Sequence, residues 1–471
     1  MTGKARRAAV VLAAGKGTRM KSDKAKVLHP LGGRPMLSYP VRAALEAGCA
    51  PVVVVVGHQA ESVKAELAKD LPGAPLSFAL QSEQLGTGHA VRMAVDALKA
   101  AGLGAGDQVL LLAGDVPLLT GATLQRLAEA QGAWKLALVT CLAREPHGYG
   151  RVLRGLEGGV LRIVEHKDAS EFERQVKEIN ASIYAVEAGF LYEALEKLSP
   201  KNAQGEYYLT DIVAQAAHVG GRVEAIVVDE AEVAGVNDRE QLAAADAVRR
   251  QRKLSAMMRA GVTVIDPQST FVDDAVEVEA DATLEPMVSL RGKTRVAQGA
   301  SIGQGAVVIN CTIGANAKVL PYSHFDESEM KERTTAGPFA RLRPGSVMLP
   351  DSHIGNYVEL KNTTLGAGSK SNHLAYLGDA TIGAGVNLGA GTITCNYDGV
   401  NKHRTIIEDG VFVGSDSQIV APITLGKGSY VGTGTTIRED VPPGALAVSA
   451  GKQRNLEGWV ERKAPKKKAK E

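Results

Sequence analysis

A six-residue spacing of aliphatic side chains dominates the C-terminal half of this 471-residue chain. The repeat occupies two runs, Val278, Leu284, Leu290, Val296 and Ile302, and then Val413, Ile419, Leu425, Val431 and Ile437. A hexad period predicts short strands that each turn a corner and stack into a parallel β-solenoid. A β-sandwich with coincidental spacing is the alternative, and two separate runs in phase argue against it.

The N-terminal half follows a different pattern, in which apolar runs alternate with amphipathic stretches. We predict strands over residues 8–14, 52–57, 109–113 and 136–141, and helices over 36–47, 59–70, 88–99 and 122–129. This alternation indicates βαβ units and a mainly parallel sheet with helices on both faces. Ligands of such folds bind beyond the carboxyl ends of the strands.

These patterns predict an α/β chain with two domains and a connecting helix. We expect an N-terminal domain over residues 1–236, a helical linker over 237–261 that ends at Gly261, a solenoid domain over 262–458 and a basic tail over 459–471. The linker sequence is rich in Ala, Arg, Gln and Leu, and glycine is a common helix C-cap.

Composition excludes several functional classes. Lys and Arg total 54 against 52 Asp and Glu, so nothing predicts a surface that condenses on nucleic acid. The apolar runs are far shorter than a membrane span, which excludes a membrane segment. The four cysteines lie far apart, which predicts neither a zinc site nor disulfides and favours the cytoplasm.

A glycine loop directly follows the first predicted strand, over residues 12–20 with the sequence LAAGKGTRM. Its spacing fits neither a Walker A motif nor a dinucleotide-binding motif. Glycines let backbone amides approach phosphate oxygens, and Lys16, Arg19 and Lys26 can neutralise a polyphosphate. An ordinary strand-to-helix turn is the alternative, and the three cations favour phosphate binding.

The loop, followed by KVLH at 26–29, QLGTGHA at 84–90 and GDVPL at 114–118, resembles sugar-nucleotide pyrophosphorylases of the uridylyltransferase branch. Together with the hexads, the chain from about residue 7 to 459 resembles the bacterial bifunctional family of N-acetylglucosamine-1-phosphate uridylyltransferase and glucosamine-1-phosphate N-acetyltransferase. The resemblance implies a Rossmann-like nucleotidyltransferase domain and a left-handed parallel β-helix. It also implies synthesis of UDP-N-acetylglucosamine from UTP and acetyl-CoA, which supplies peptidoglycan and lipopolysaccharide precursors.

For uridylyl transfer, the resemblance implies Arg19 and Lys26 as catalytic cations, and Asp115 and Asn237 as ligands of Mg²⁺. It further implies nucleotide and sugar contacts at Leu12, Ala13, Ala14, Gly15, Lys26, Gln81, Gly86, Thr87, Gly150, Glu165, Asn180 and Asn237. The family often has Tyr before the Gly-Asp pair, whereas this chain has Ala113.

Polar segments interrupt the hexads around Arg343, Glu359 and His373, where a solenoid has no packing need for them. Acetylation of an amine requires its neutral form, and histidine can accept that proton near neutral pH. The resemblance implies His373 as general base and Glu359 as the group that orients it.

The resemblance also implies the remaining acetyltransferase contacts. Those to the amino sugar phosphate are Arg343, Lys361, Tyr376 and Asn387, and those to acetyl-CoA are Ala390, Asn396, Tyr397, Ser415 and Thr433. Ala450 stands where the family commonly has an arginine, so Lys452 or Arg454 is expected to substitute for it, unless the contact is lost.

Two other readings stay open on the sequence. One is a single-activity sugar-1-phosphate nucleotidyltransferase with a structural or regulatory β-helix, and the other is a non-catalytic scaffold. The His373 segment and the Asn396-Tyr397 pair favour the bifunctional enzyme. The resemblance implies a homotrimer through the β-helix, with the acetyl-transfer site between subunits.

Overall fold

The computed structural model describes residues 6–220, 222–449, 451 and 453–463. The chain divides into two compact units, Met1–Lys253 (unit 1) and Leu254–Glu471 (unit 2). This division falls inside a long helix, Arg239–Arg259, which the sequence predicts. The predicted domain boundaries at residues 236 and 262 lie on either side of it.

Unit 1 is an α/β domain. Its strands are β1 (Arg7–Ala13), β2 (Pro30–Leu31), β3 (Arg34–Pro35), β4 (Val52–Val56), β5 (Leu76–Leu80), β6 (Gln108–Ala113), β7 (Leu136–Leu142), β8 (Arg151–Arg154), β9 (Val160–Val164), β10 (Glu178–Glu187) and β11 (Glu224–Val227). Its helices are α1 (Ser38–Glu46), α2 (Ala60–Asp70), α3 (Thr87–Ala100), α4 (Gly121–Gln131), α5 (Glu171–Arg174), α6 (Ala188–Glu196), α7 (Asp211–Gly220) and α8 (Arg239–Arg259). Short 3-10 turns occupy Thr18–Met20, Lys26–Leu28 and Glu230–Val233.

The sheet of unit 1 runs in the order β11-β7-β10-β6-β1-β4-β5, and β8 and β9 form a hairpin that pairs with β10. The predicted strands and helices are confirmed within a few residues at their ends. Strand β4 is buried along its whole length because helices cover both faces of a parallel sheet. The sequence did not predict β10, which runs antiparallel between β6 and β7.

Two backbone segments, the end of β1 and the turn after β6, lie in close contact at the edge of the sheet where ligands are expected. The Gly114 amide donates to the Leu12 carbonyl at 2.9 Å. A Cβ atom at position 114 would lie 2.6 Å from that oxygen, so only glycine fits. The turn after β6 is thereby held against the end of β1, and Asp115 follows it directly.

Unit 2 is a left-handed parallel β-helix with three sheet faces. Face 1 comprises Thr263–Val264, Thr283–Leu284, Ser301–Ile302, Lys318–Val319, Thr335–Ala336, His353–Asn356, Lys370–His373, Asn387–Leu388, Phe412–Val413, Tyr430–Val431 and Leu446–Ala447. Face 2 comprises Phe271–Val272, Ser289–Arg291, Val307–Ile309, His324–Asp326, Arg341–Leu342, Glu359–Lys361, Tyr376–Gly378, Ile393–Cys395, Gln418–Val420 and Thr436–Ile437. Face 3 comprises Glu277–Val278, Arg295–Val296, Thr312–Ile313, Glu329–Met330, Val347–Met348, Thr364–Leu365, Ala380–Ile382, Thr405–Ile407 and Ile423–Leu425. The short helix α9 (Trp459–Lys463) follows these strands.

Successive hexads occupy the three faces in rotation. Leu284, Leu290 and Val296 lie on faces 1, 2 and 3, and Ile302 returns to face 1 in register with Leu284. Their side chains are buried in a narrow interior that is filled mainly by aliphatic residues. The hexad prediction is therefore confirmed.

One coil of the β-helix is longer than the others. The face 1 partner of Asn387 is Phe412, 25 residues later, whereas Lys370 and Asn387 are paired at a separation of 17 residues. The extra residues form a loop in which Tyr397 and Lys402 make an antiparallel bridge. Within the described parts of the chain, no helix is long and apolar enough to span a membrane.

Candidate active sites in the two units

Two adjoining cavities open at the ligand edge of the unit 1 sheet. The larger, about 430 Å³, is lined by Leu12, Ala13, Ala14, Gly15, Lys26, Val27, Gln81, Gln84, Gly86, Thr87, Ala90, Ala113, Asp115, Ser182 and Glu206. The smaller, about 200 Å³, is lined by Ala113, Asp115, Val116, Cys141, Tyr149, Ile179, Asn180, Ala181, Ser182, Glu230, Val233, Ala234, Gly235 and Asn237. Asp115 and Ala113 line both, so the cavities meet at the carboxyl end of β6.

A cluster of opposite charges stands where the cavities meet. The Lys26 ammonium donates to Asp115 Oδ2 at 2.5 Å and to Asn237 Oδ1 at 3.1 Å. Arg19 donates to the same Asn237 oxygen at 2.9 Å. The Lys26 side chain is 12 % exposed and that of Asp115 is 25 % exposed, so the charges are partly withdrawn from water. The predicted catalytic and metal residues of unit 1 are thus brought together.

The glycine loop carries Arg19, and its backbone conformation lets it pack closely against Lys26. Gly17 has a left-handed φ of 59°, and a Cβ atom there would lie 2.4 Å from Lys26 Cβ. The exposed Lys16 side chain does not join the cluster and lines a neighbouring cavity with His58. Of the three cations that the sequence singles out, Arg19 and Lys26 face the ligand edge together.

Residues of the loop between β5 and α3 also line the larger cavity. The Gln81 amide nitrogen donates to the Gly86 carbonyl at 3.2 Å, and Gln84 donates to the Ala14 carbonyl at 2.6 Å. Gly86 has a φ of 106°, and a Cβ there would lie 2.7 Å from the Tyr207 carbonyl. The segment around residue 207 therefore packs against the cavity, and it brings Glu206, which sequence reasoning missed, into the lining.

The residues predicted to contact the sugar form a chain of contacts behind the smaller cavity. Asn180 lines that cavity, and its backbone amide donates to the Gly150 carbonyl at 3.0 Å. Gly150 faces the Glu165 carboxylate, and Thr210 donates to Glu165 at 3.1 Å. Burial raises the pKa of Glu165 above its ordinary value. Gly150 and Glu165 are not among the residues that line the cavity itself.

A bulge in β10 aims Asn180 into this pocket. The pairing of β10 with β7 shifts between Asn180 and Tyr184, and Ser182 has a left-handed φ of 58°. The Asn180 amide donates to the Tyr184 hydroxyl at 2.7 Å, while its oxygen accepts from the Ser182 backbone at 3.0 Å. Ser182 lines both cavities, and no sequence signal pointed to it.

In unit 2, His373 lies at the end of a face 1 strand, just before a corner. The next residue, Leu374, has a left-handed φ of 49° and turns the chain toward face 2. His373 Nδ1 lies 2.8 Å from the side-chain oxygen of Asn356, its register partner one coil earlier. Asn356 stands 17 residues before His373, a coil period that could have identified it.

The expectation that Glu359 orients His373 is wrong. The Glu359 carboxylate accepts from Arg343 at 3.0 Å and lies 3.5 Å from Arg341. Glu359 belongs to face 2, where its strand pairs with those of Arg341 and Tyr376, whereas the ring of His373 is bonded on face 1. Two guanidinium groups satisfy this carboxylate.

Asp379 forms the most connected polar cluster of this region. It accepts from Lys361 at 2.9 Å and Asn362 at 2.7 Å, and also from Asn396. Burial opposes ionisation, yet the hydrogen bonds from Asn362, Lys361 and Asn396 lower the pKa of Asp379. The bond from Asp379 raises the pKa of Lys361 in turn. Asp379 thus holds two predicted substrate residues, Lys361 and Asn396, although sequence reasoning gave it no role.

Three of the predicted acetyl-CoA residues lie along the same corner of the β-helix as His373, on later coils. Gly391 donates to the Leu374 carbonyl, Asp416 to Ala390 and Gly434 to Ser415, so Ala390, Ser415 and Thr433 occupy equivalent corner positions on successive coils. Coils stack at about 4.8 Å, which makes this row a continuous track leading away from His373. Tyr397 is exposed, and its hydroxyl donates to the Gly399 carbonyl.

The other predicted acetyltransferase residues are placed as follows. Tyr376 lies on face 2 between Glu359 and Ile393, and Asn387 lies on face 1 between Lys370 and Phe412. The expectations for Ala450 and Lys452 fall outside the described residues, and Arg454 is exposed.

The fold and the two sites define a class: a nucleotidyltransferase unit followed by a hexapeptide-repeat acyltransferase unit. Residues 9–256 match the MobA-like NTP transferase domain, and residues 404–439 match the bacterial transferase hexapeptide family. The first of these matches covers more than half of the chain.

Relatives match along almost the whole chain. The bifunctional protein GlmU of Anaeromyxobacter sp. (strain Fw109-5) is 53 % identical, over 97 % of this chain and 93 % of its own. That of Syntrophotalea carbinolica is 52 % identical over 98 % and 99 %, and that of Pelobacter propionicus is 50 % identical over 96 % and 97 %. The chain belongs to the GlmU family. It is accordingly a bifunctional enzyme of UDP-N-acetylglucosamine synthesis, with a uridylyltransferase and an acetyltransferase domain.

Proposed function

We propose that uridylyl transfer takes place where the two unit 1 cavities meet. The observation that carries this proposal is the convergence of Lys26, Arg19, Asp115 and Asn237 at that point. UTP occupies the larger cavity, with its base toward Gln81 and its phosphates toward the glycine loop. N-acetylglucosamine 1-phosphate occupies the smaller one.

The reaction needs no protein nucleophile. A phosphate oxygen of the sugar attacks the α-phosphorus of UTP, a new P–O bond forms, and the bond to the bridging oxygen breaks to release pyrophosphate. Lys26 and Arg19 stabilise the charge that develops on the phosphoryl oxygens, and the cavity walls align the two substrates. Asn180 holds the sugar in the smaller cavity, and Gly150 and Glu165 support Asn180 from behind the cavity wall.

The donor set fits Mg²⁺. Asp115 and Asn237 each direct a side-chain oxygen at the same ammonium, so both already share one cation. Mg²⁺ prefers such oxygens and completes its shell with water and substrate phosphates. Among the described residues no cluster of three or more His, Cys, Asp or Glu could hold a metal, and two protein ligands plus phosphates do not require one. When bound, Mg²⁺ would neutralise and polarise the phosphates.

In unit 2 we propose acetyl transfer at the His373 corner. His373 takes a proton from the amine of glucosamine 1-phosphate as the nitrogen attacks the thioester carbonyl. A C–N bond forms, the C–S bond breaks, and coenzyme A leaves as a thiolate that takes up the proton from His373. Arg343 and Lys361 bind the sugar phosphate, Tyr376 and Asn387 line the sugar site, and acetyl-CoA follows the track of Ala390, Ser415 and Thr433 with Asn396 and Tyr397.

A homotrimer is part of the proposal. Exposed apolar side chains form a ladder along one corner of the β-helix, at Met287, Tyr322, Phe339, Tyr357 and Leu374. The rings of Tyr322, Phe339 and Tyr357 stack at centroid distances of 5.5 and 5.3 Å. Such a contiguous apolar surface is typical of an interface. It runs into the His373 corner, which supports a second copy of the chain as its occupant.

The trimer is tested by light scattering on the full chain. Asparagine tolerates the left-handed backbone at positions 339 and 357, so Phe339→Asn combined with Tyr357→Asn keeps the corner while removing the rings. We expect a trimeric mass for the native chain, and both a smaller mass and lost acetyl transfer for the variant. A monomeric native chain with full acetyl transfer would refute the trimer.

We place both reactions in the cytoplasm, where the four unpaired cysteines stay reduced.

A further inference from the structure

His373 has one side-chain hydrogen-bond partner within the described part of the chain, and that partner is an amide. Asn356 and His373 face each other on adjacent coils of face 1, with Oδ1 and Nδ1 2.8 Å apart. Both line a groove of about 410 Å³ with His353 and Lys370. The carboxylate of Glu359 is instead paired with Arg341 and Arg343 on face 2.

The direction of this bond decides what His373 can do. An amide oxygen can only accept, so the Nδ1 atom opposite it must carry the proton of the neutral ring. The lone pair is then left on Nε2, the nitrogen that is free to act as a base. We infer that Asn356 is a positioning residue for the acetyltransferase, because it fixes the tautomer and the plane of the His373 ring. This inference rests on the proposed role of His373 as general base.

The partner of the His373 ring is a neutral amide and not a carboxylate, and this difference affects how strongly the ring holds a proton. His353 and Lys370 line the same groove as His373, and none of the described residues that line it carries a carboxylate. A carboxylate at position 356 would fix the same tautomer, but its charge would also stabilise the imidazolium. An amide orients the ring without that added affinity for the proton, which lets His373 release it after each turnover.

Two substitutions separate orientation from charge. Asn356→Ala removes the acceptor and should lower kcat for acetyl transfer about 10- to 100-fold with little change in KM. Asn356→Asp keeps an acceptor and adds charge. It should retain most of the activity and move the acid limb of the kcat/KM profile about one pH unit higher. A purely structural role would not move that limb.

Two internal controls accompany these variants. Uridylyl transfer by the same samples should stay unchanged, which reports the concentration of folded enzyme. Asn372→Ala alters an amide in the same groove whose oxygen has no hydrogen-bond partner among the described residues, and it should change acetyl transfer less than twofold. Nitrogen-15 NMR of the native enzyme should show the His373 proton on Nδ1.

A double-mutant cycle with His373→Ala gives the decisive comparison. Asn356→Ala should have no further effect once the imidazole is absent. An equal loss in both backgrounds, an unmoved acid limb in Asn356→Asp, or a proton on Nε2 would each overturn the inference. Full acetyl transfer by His373→Ala alone would instead overturn the proposed function.

Discussion

Asp379 offers a sharp test of how the acetyltransferase site is held together. Its carboxylate accepts hydrogen bonds from Lys361, Asn362 and Asn396, and the Lys361 and Asp379 side chains are only 18 % and 11 % exposed. Asp379→Asn keeps a side chain that tolerates the left-handed φ of 48°, but it removes the charge. It also replaces one acceptor oxygen with an NH₂ group that must face a donor.

The expected loss follows from these contacts. Breaking a fully buried ion pair costs about 3–5 kcal/mol, and the remaining exposure of both partners points to the lower end, about 3 kcal/mol. For a folding unit of this size, that corresponds to a fall of roughly 6–12 °C in Tm. KM for glucosamine 1-phosphate and for acetyl-CoA should both rise, because Lys361 and Asn396 lose the group that positions them.

Thermal unfolding and coenzyme A thiol release measure these effects, with uridylyl transfer as the internal control. Asp351→Asn is a matched variant, since Asp351 also has a left-handed φ and a cationic partner, Arg333, but is exposed, so the Tm of this variant should hardly change. The pKa of Asp379 is lowered in the fold, so its stabilisation is present above the unfolded pKa and is lost as pH falls through the folded one. The Tm difference should therefore vanish well below pH ~4. An unchanged Tm, or a lower KM from a freed Lys361, would refute this reasoning.

Three further predictions concern unit 1. Gly17→Ala should lower uridylyl transfer at least tenfold and spare acetyl transfer, because its Cβ collides with Lys26; equal loss of both activities would contradict this. Ala113→Tyr should narrow both cavities and raise KM for UTP and for the sugar phosphate, and unchanged kinetics would show that position 113 does not face substrate. Glu165→Gln should raise Tm at pH 8, since burial raises the pKa of Glu165 and its ionised form opposes folding. The gain should shrink as pH falls below that pKa, KM for the sugar phosphate should rise, and a Tm gain independent of pH would count against the reasoning.

Much of the fold could be predicted because its periods are simple. A six-residue aliphatic repeat leaves few alternatives to a solenoid, and the buried runs at β1, β4, β6 and β7 are typical of a parallel sheet. Strand β10 escaped prediction because Glu178–Glu187 carries a bulge and a left-handed Ser182, which disrupt its alternation. Its antiparallel pairing also depends on distant strands.

The site residues likewise fall into two groups: those that a local motif identifies and those whose role depends on contacts between distant parts of the sequence. Residues carried by local motifs, such as Lys26 and Asp115, come together as their positions after strands imply. Asn356 and Asp379 were missed because their roles come from stacking between coils, where partners lie 17 or 18 residues apart and no motif marks them. Glu359 was misassigned because a carboxylate near a histidine in sequence need not share its face of a β-helix.

Paired activity assays on Asp115→Ala and His373→Ala test the two-site enzyme most directly. Pyrophosphate release from UTP and N-acetylglucosamine 1-phosphate reports one reaction, and thiol release from acetyl-CoA with glucosamine 1-phosphate reports the other. We predict that Asp115→Ala silences only the first and His373→Ala only the second. Loss of both activities in either variant, or no thiol release from the native chain, would contradict two independent sites.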